Sequence, residues 1–403
     1  MKLTKLYIHN YKSFYNTTIE LDKINIVVGE NNSGKSNLID VLEFIDISMN
    51  KDIERAISDK GGYDKIKNYS AVEEEKVIVR ATFEQKDTTS KVIFLGKVPY
   101  QGILRAKGEY TYSFSFTKNY TIFSVQVDML TSATDNVKLI QEYLDKKYDN
   151  LRGNMYIEKV KFIISNKNNL DNNKNSRKLF ISSTSNRKFI LNHLYGILFD
   201  IGLISDKDLN IKKYNYSSKP YITTYSFDTS NIRLKSHQNS DVKLKKDGSN
   251  LGKNIYSSLR ESAEFDIISN SLITTVNEID GIKIYEVAGS YIIAFKEGDK
   301  EISLDTVSDG TINFLATMVA LNQPIDDSFL LVFKEPEQHL YLDAITYMLR
   351  AFRESSKQIL ITTHSTAILK HAKTEEIVFI YRDNDGHTKS VRADTIPKLK
   401  RKR

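Results

Sequence analysis

The stretch from Asp22 to Ile45, reading DKINIVVGENNSGKSNLIDVLEFI, restricts the possible folds of this chain more than any other. Ile24, Ile26, Val27 and Val28 make a short apolar run, long enough for one buried strand. Gly29, Glu30, Asn31, Asn32, Ser33, Gly34, Lys35 and Ser36 then satisfy the pattern G-x-x-x-x-G-K-[ST] at every fixed position. Leu38, Ile39, Val41, Leu42 and Ile45 follow at helical spacing. Strand, glycine-bounded loop and helix stand in the order a phosphate-binding loop needs, and they predict an α/β fold. A polar turn rich in Asn and Ser would match the pattern by composition alone; the flanking strand and helix argue against that reading.

The residue types carry the chemistry. Gly29 and Gly34 let the backbone turn tightly, so that successive N–H groups face an anion with no side chain in the way. The helix that follows adds its positive N-terminal end, and the nucleotide-binding residues are expected to run from Gly29 through Asn37. Lys35 is placed to reach the β- and γ-phosphates of a nucleotide, and the Ser36 hydroxyl to bind magnesium.

With 403 residues the chain can bury a large core, as one big domain or two intertwined ones. No window approaches 18 uninterrupted apolar residues, so no membrane span is expected. The start, MKLTKLYIHNYKSF, reads as a strand rather than a secretory signal. The chain has no cysteine, which excludes disulfides and thiolate metal sites and fits a cytoplasmic location. Its net charge of +7 is only mildly basic; it permits nucleic-acid binding without arguing for it.

Along the chain, strands are expected around Thr4–His9 and Thr18–Leu21, before the loop. Met49 to Ser70 reads as a helix end and a polar loop. Val77, Val79, Ala81 and Phe83 alternate with polar neighbours, as do Tyr110, Tyr112, Phe114 and Phe116; Phe123, Val125 and Val127 follow. Period-two patterning of this kind means antiparallel strands with one wet face, a β-subdomain. Helices are expected at Val137–Tyr148 and Phe189–Ile204, with a polar loop at Asn166–Arg177 between them. No apolar heptad repeat is sustained, so no long coiled coil is expected. Asp247-Gly248-Ser249-Asn250-Leu251 reads as a turn opening a helix to about Ile279, with Ser249 or Asn250 as cap. Two strands are expected at Ile282–Val287 and Tyr291–Lys296.

The C-terminal third holds a second cluster. A Ser308-Asp309-Gly310 turn leads into an apolar helix ending near Leu321. Phe329–Phe333 is an apolar strand that runs into Lys334-Glu335-Pro336-Glu337. Residues 358–363 form another, which runs into His364-Ser365. Ile377–Tyr381 and Thr388–Arg392 read as a hairpin around Asp383-Asn384-Asp385-Gly386, a reading preferred to a carboxylate metal site. The basic tail at 398–403 reads as a solvated end rather than a DNA contact.

The order of phosphate loop, Ser-Asp-Gly turn plus helix, strand-Glu-Pro-Glu and strand-Thr-Thr-His-Ser resembles the ABC-type ATPases of the RecF/SMC/OLD group, and in particular the stand-alone AAA family ATPases of prokaryotes. Their Asn-Tyr-Lys-Ser-Phe and Asp-Gly-Ser-Asn-Leu stretches are similar to residues 10–14 and 247–251. The match covers about residues 1–46 and 226–395. The resemblance implies a P-loop ATPase head with a mixed central sheet, an antiparallel β-subdomain and a helical insert. It divides the chain into an N-terminal ATPase lobe at 1–130, a helical and polar insert at 131–225, a C-terminal lobe at 226–397 and the tail.

The same resemblance implies that Glu335 is the general base and His364 senses the γ-phosphate. Ser308, Asp309 and Gly310 then form a signature turn that closes over nucleotide held by a second copy, and ATP and Mg2+ are the cofactors, the metal held by Ser36 and Glu335. Gln85 and Gln126 are both candidates for a further magnesium contact. One position departs from the family: Lys334 stands where an Asp or Glu normally supports the metal shell, placing a repulsion beside Mg2+. Tyr341-Leu342 likewise replaces the usual His-Pro.

Two functions follow from the resemblance. One is an ATPase that dimerises on nucleotide and couples this to nucleic acid or to a protein effector, similar to ATPase subunits of anti-phage defence modules. The other is a nucleotide-gated scaffold with little hydrolysis, in which Lys334 disables the metal shell. A transporter ATPase is disfavoured by the signature and the β-subdomain, and a nuclease of the OLD type by the short chain left after the last hairpin.

Overall fold

The computed structural model describes residues 2–51, 53–72, 75–90, 93–95, 98–100, 104–118, 121–131, 157–165, 175–183, 221–234, 236–324 and 328–397. It divides into two compact units, each assembled from separate pieces of chain.

The first unit comprises residues 1–21, 40–220 and 383–389. Its main sheet is built on β1 (Lys2–His9), which pairs antiparallel with β2 (Thr17–Glu20) and with the long β4 (Val77–Ser90). From β4 the sheet continues through β7 (Leu104–Phe116) and β8 (Thr121–Thr131) to β10 (Asn175–Ser183) and β9 (Ile157–Ser165), every pair antiparallel. A two-stranded hairpin, β5 (Ile93–Leu95) with β6 (Val98–Tyr100), stands apart. The alternation at 77–83 does what period-two patterning predicts: Val77, Val79, Ala81 and Phe83 are fully buried while Arg80 is exposed.

Two expectations in this unit change. Met49–Ser70 carries two short helices, Ile53–Asp59 and Tyr63–Ile66, separated by Gly61 and Gly62 at positive φ. Ile53, Ala56, Tyr63 and Ile66 are buried, so a few anchors hold helices whose surroundings read as loop. In the expected insert at 131–225 the described residues are strands, and Asn175–Arg177, expected as loop, opens β10. The helices expected at Val137–Tyr148 and Phe189–Ile204 lie outside the described residues, as do the side chains of Gln85 and Gln126.

The second unit comprises residues 22–39, 221–382 and 390–403. Its six-stranded sheet runs β11 (Tyr221–Tyr225), β16 (Ser328–Lys334), β17 (Gln358–Thr363), β3 (Ile24–Val28), β18 (Ile377–Arg382) and β19 (Thr388–Arg392). The first five strands are parallel. β3 and β17 are buried at every position, as fits continuous apolar runs covered on both faces. The helix Asp309–Leu321 is buried at every residue from Gly310 on, which explains its almost wholly apolar sequence. A smaller antiparallel sheet joins β12 (Ser236–His237), β14 (Ser290–Glu297), β13 (Gly281–Val287) and β15 (Lys300–Ser303).

The single helix expected from residue 250 to Ile279 is broken. Leu251–Asn254 passes into a wide turn at Ile255–Leu259 that closes at Arg260, and Ala263–Thr275 begins anew after Ser262, whose backbone is extended. Asn250 precedes the first piece without capping it. Its side chain instead accepts from Lys245 N at 2.8 Å and donates to the carbonyls of Asp241 and Lys243, pinning that loop.

Candidate nucleotide site

Three parallel neighbours of the second unit's sheet end side by side. Val28 is in register with Thr363, and Thr362 with Lys334. The turns leaving β3, β17 and β16 therefore bring Gly29, His364 and Glu335 to one sheet edge, although up to 335 positions separate them in sequence. Such C-terminal strand ends are where open α/β sheets hold ligands.

The loop after β3 is shaped by its glycines. A Cβ at Gly29 would lie 2.1 Å from Ile380 O and 2.6 Å from Ser33 Oγ, so no side chain fits. Gly34 sits at φ 116 and Asn32 at φ 62. Arg382, at the end of β18, donates from Nε to Asn32 O at 2.9 Å and braces the loop. Lys35 opens the helix Lys35–Asn50, and its Nζ donates to Gly29 O at 2.7 Å and Glu30 O at 2.8 Å. Burial lowers the Lys35 pKa, and the charge of the Glu335 carboxylate partly opposes that shift. Glu30, Asn31, Asn32 and Ser36 are exposed, and Asn37 is half-buried, while Ser33 and Gly34 are buried beneath them.

The turn after β16 is held just as firmly. Glu335 takes φ 48, and its N–H donates to Thr362 O at 2.8 Å. Its Oε2 accepts from Gln338 Nε2 at 2.7 Å, while Oε1 lies 3.9 Å from His364 Nε2. Lys334 is exposed at the strand end, and no ion pair of it is found among the described residues. Glu337 is buried and hydrogen-bonded by the Thr363 hydroxyl, with burial raising its pKa. Thr363 Oγ1 in turn accepts from Ser365 N at 2.8 Å, and Ser365 caps the helix Thr366–His371.

The Ser-Asp-Gly turn packs on the far end of the same segment. Ser308 is exposed and caps the helix Asp309–Leu321, its Oγ accepting from Thr311 N at 3.2 Å. Asp309 pairs with Arg233 at 2.6 Å, and that hydrogen bond holds its carboxyl below the usual range. A Cβ on Gly310 would fall 2.2 Å from His339 O, so only glycine lets the helix start lie this close. Asn313 donates from Nδ2 to Gln338 O at 3.1 Å. Of the residues singled out from sequence, Lys35, Glu335 and His364 thus converge. Ser308 and Asp309 use their side chains on Thr311 and Arg233.

Sequence reasoning missed the supports Arg233, Asn313, Gln338 and Arg382. Glu337 and Thr363 stood in the quoted motifs but received no role from them. In the first unit, Asp383, Asp385 and His387 each offer a ligand atom within 4.8 Å of the others. Asp383 Oδ1 already accepts from the N–H groups of Asp385 and His387, and Gly386 takes φ 77, so this is the expected turn.

The sequence matches the AAA ATPase domain family over residues 1–369. Among solved structures the fold is similar to an SMC head bound to the C-winged helix domain of ScpA, with a TM-score of 0.50 at 14% identity, covering 97% of this chain and 98% of that one. The SMC head domain from Thermotoga maritima matches with a TM-score of 0.47 at 16% identity, covering 97% and 99%. No curated protein matches the sequence. No helix among the described residues is long and apolar enough to cross a membrane.

Proposed function

We propose, from the premise that this chain belongs to the AAA ATPase domain family, that it binds ATP with Mg2+ at the Gly29–Asn37 loop and hydrolyses it with Glu335 as general base. The observation that carries this reading is the register of β3, β17 and β16, which brings the Lys35 loop and Glu335 to one end of the sheet. The loop fits a triphosphate: the space a Gly29 side chain would fill is closed by backbone, and the helix end is positive. Lys35 Nζ, now on two loop carbonyls, exchanges them for phosphate oxygens. The exposed Ser36 hydroxyl and the Glu335 carboxylate are hard oxygen donors of the kind magnesium takes. When bound, the metal supplies charge neutralisation on the phosphate oxygens. Glu335 Oε1, the oxygen not engaged by Gln338, accepts the proton of the attacking water, with the exposed His364 beside it.

Two heads closing on nucleotide is part of this proposal. Ser308, Tyr341 and Leu342 are exposed, Tyr341 at 69%, and the Ser-Asp-Gly turn abuts the segment leading to them, which supports a surface for a second copy. The solved SMC head in complex with ScpA supports a protein partner for the same fold. Coupling to an effector, as in a defence module, nucleic-acid contact and a cytoplasmic location complete the proposal. The second reading, a nucleotide-gated scaffold with little turnover, draws on Lys334 standing exposed beside Glu335.

One experiment separates the two. ATP hydrolysis by the wild type, Glu335→Gln and Lys334→Asp is measured alongside ATP binding. The ATPase reading expects Glu335→Gln to lower turnover about 10²–10³-fold with binding kept. A wild type no faster than Glu335→Gln, with activity gained in Lys334→Asp, selects the scaffold. Absence of ATP binding by all three removes both.

A further inference from the structure

Glu335 to His339 is a rigid device rather than a loop. Glu335, Pro336, Glu337 and Gln338 form a β-turn closed by Gln338 N–H to Glu335 O at 3.2 Å, with proline at the second position. Pro336 fixes its own φ and is buried. Glu335, the first residue of the turn, and His339, just past it, sit at φ 48 and 63, conformations that residues with side chains adopt only where neighbours enforce them. Beneath the turn, Thr363 holds Glu337; at its end, Leu340 N–H donates to Glu337 O at 3.0 Å.

Within this frame one side chain touches the candidate base. A carboxylate only accepts hydrogen bonds, so the amide group 2.7 Å from Glu335 Oε2 presents its N–H2. The same residue's carbonyl accepts from Asn313, one turn into the helix that starts at the Ser-Asp-Gly motif, and the next carbonyl lies against Gly310. Gln338 is therefore tied at its backbone to the signature helix and at its side chain to Glu335.

We propose that Gln338 is a positioning residue: its amide holds one carboxylate oxygen of Glu335, leaving the other directed to the attacking water, and links that orientation to the signature helix through Asn313. The inference rests on the ATPase reading above. A misoriented base loses proton-transfer geometry without loss of phosphate contacts, so the effect belongs in kcat and not in KM.

The test compares Gln338→Ala, Gln338→Glu and Asn313→Ala with the wild type in steady-state ATP hydrolysis. Gln338→Ala lowers kcat about tenfold, the scale of one hydrogen bond to a charged group, with KM for ATP and the melting temperature unchanged. Gln338→Glu keeps the size but replaces the donor with a repelling carboxylate, and falls at least as far. Asn313→Ala, one step further from the base, loses two- to threefold. In the Glu335→Gln background, Gln338→Ala has no further effect on the residual rate.

Retained kcat in Gln338→Glu, or an equal loss in the Glu335→Gln background, overturns the inference while the ATPase reading stands. A wild type that does not hydrolyse ATP removes the ATPase reading instead. Crystal structures of the wild type and Gln338→Ala then decide the inference independently of turnover. A Glu335 carboxylate that leaves its wild-type position supports it, and one that stays overturns it.

Discussion

The phosphate loop and the Glu335–His339 turn meet at one sheet edge but are built by opposite means. The loop works through its backbone: nine consecutive residues, Gly29–Asn37, carry the turn, the N–H groups, the lysine and the hydroxyl. What it requires is mostly absence, above all no side chain at Gly29, where Ile380 O lies 2.1 Å from the place of a Cβ. The turn works through side chains that need holding: Gln338, within the turn, holds Glu335, while Thr363 and Asn313 from other elements hold Glu337 and the Gln338 carbonyl. A local device survives changes around it; an assembled one depends on its neighbours.

Substitutions in the loop should therefore act on binding, and those in the turn on turnover. The largest expected effect is that of Gly29→Ala. Its methyl must displace the Ile380 carbonyl within β18, costing about 3 kcal/mol of stability and abolishing ATP binding, read by thermal melting and calorimetric titration. Unchanged melting would show that the loop is less tightly seated than the turn, reversing the contrast. Next, Lys35→Ala should weaken ATP binding about a hundredfold, with a melting temperature near that of the wild type. If it lowers turnover and leaves affinity intact, the lysine belongs functionally with Glu335 and the division of labour fails.

The smallest expected effect concerns a staple between the helix following the turn and the segment entering β18, the strand beside the loop. Arg353 donates from Nε and Nη2 to the two oxygens of Glu376, both bonds at 2.7 Å. Burial raises the Glu376 pKa, but the hydrogen bonds and the charge of Arg353 outweigh it and leave the carboxyl below its usual range. Arg353→Ala should cost about 2 kcal/mol, less than a fully buried pair because Arg353 is partly exposed. The sign with pH follows from the depressed folded-state value. The contribution is fully present above the unfolded carboxyl's pKa of about 4.3 and disappears as pH falls through the lower folded value. Denaturant midpoints of the wild type and Glu376→Gln should accordingly differ at neutral pH and converge in acid. A constant difference down to acid pH would mean the pair contributes by shape rather than charge.

Particular residues mark where legibility ended. The apolar run Ile24–Val28, the helix after Lys35 and the strands ending at Lys334 and Thr363 were readable because burial on both faces leaves a continuous hydrophobic signal. The helices at Ile53–Asp59 and Tyr63–Ile66 were not, because two buried anchors apiece are too few to make a period. Asn250 looked like a helix cap and instead pins the loop at 241–245, since an amide serves whichever backbone groups the fold presents. At the site, Lys35, Glu335 and His364 were nameable from motifs; Arg382, Asn313 and Arg233 were not, because a hydrogen-bond partner has no spacing rule across hundreds of residues.

The sequence by itself determined the glycine-bounded loop at Gly29–Ser36 and the apolar strands, since each depends on residues within a dozen positions of one another. Only the tertiary structure decided that Glu335 stands within the electrostatic reach of Lys35 and that Gln338 grips it. The reason is the strand order. β17 lies between β3 and β16, and inserting a strand from residue 358 between those from 24 and 328 is a choice of pairing that no local pattern encodes.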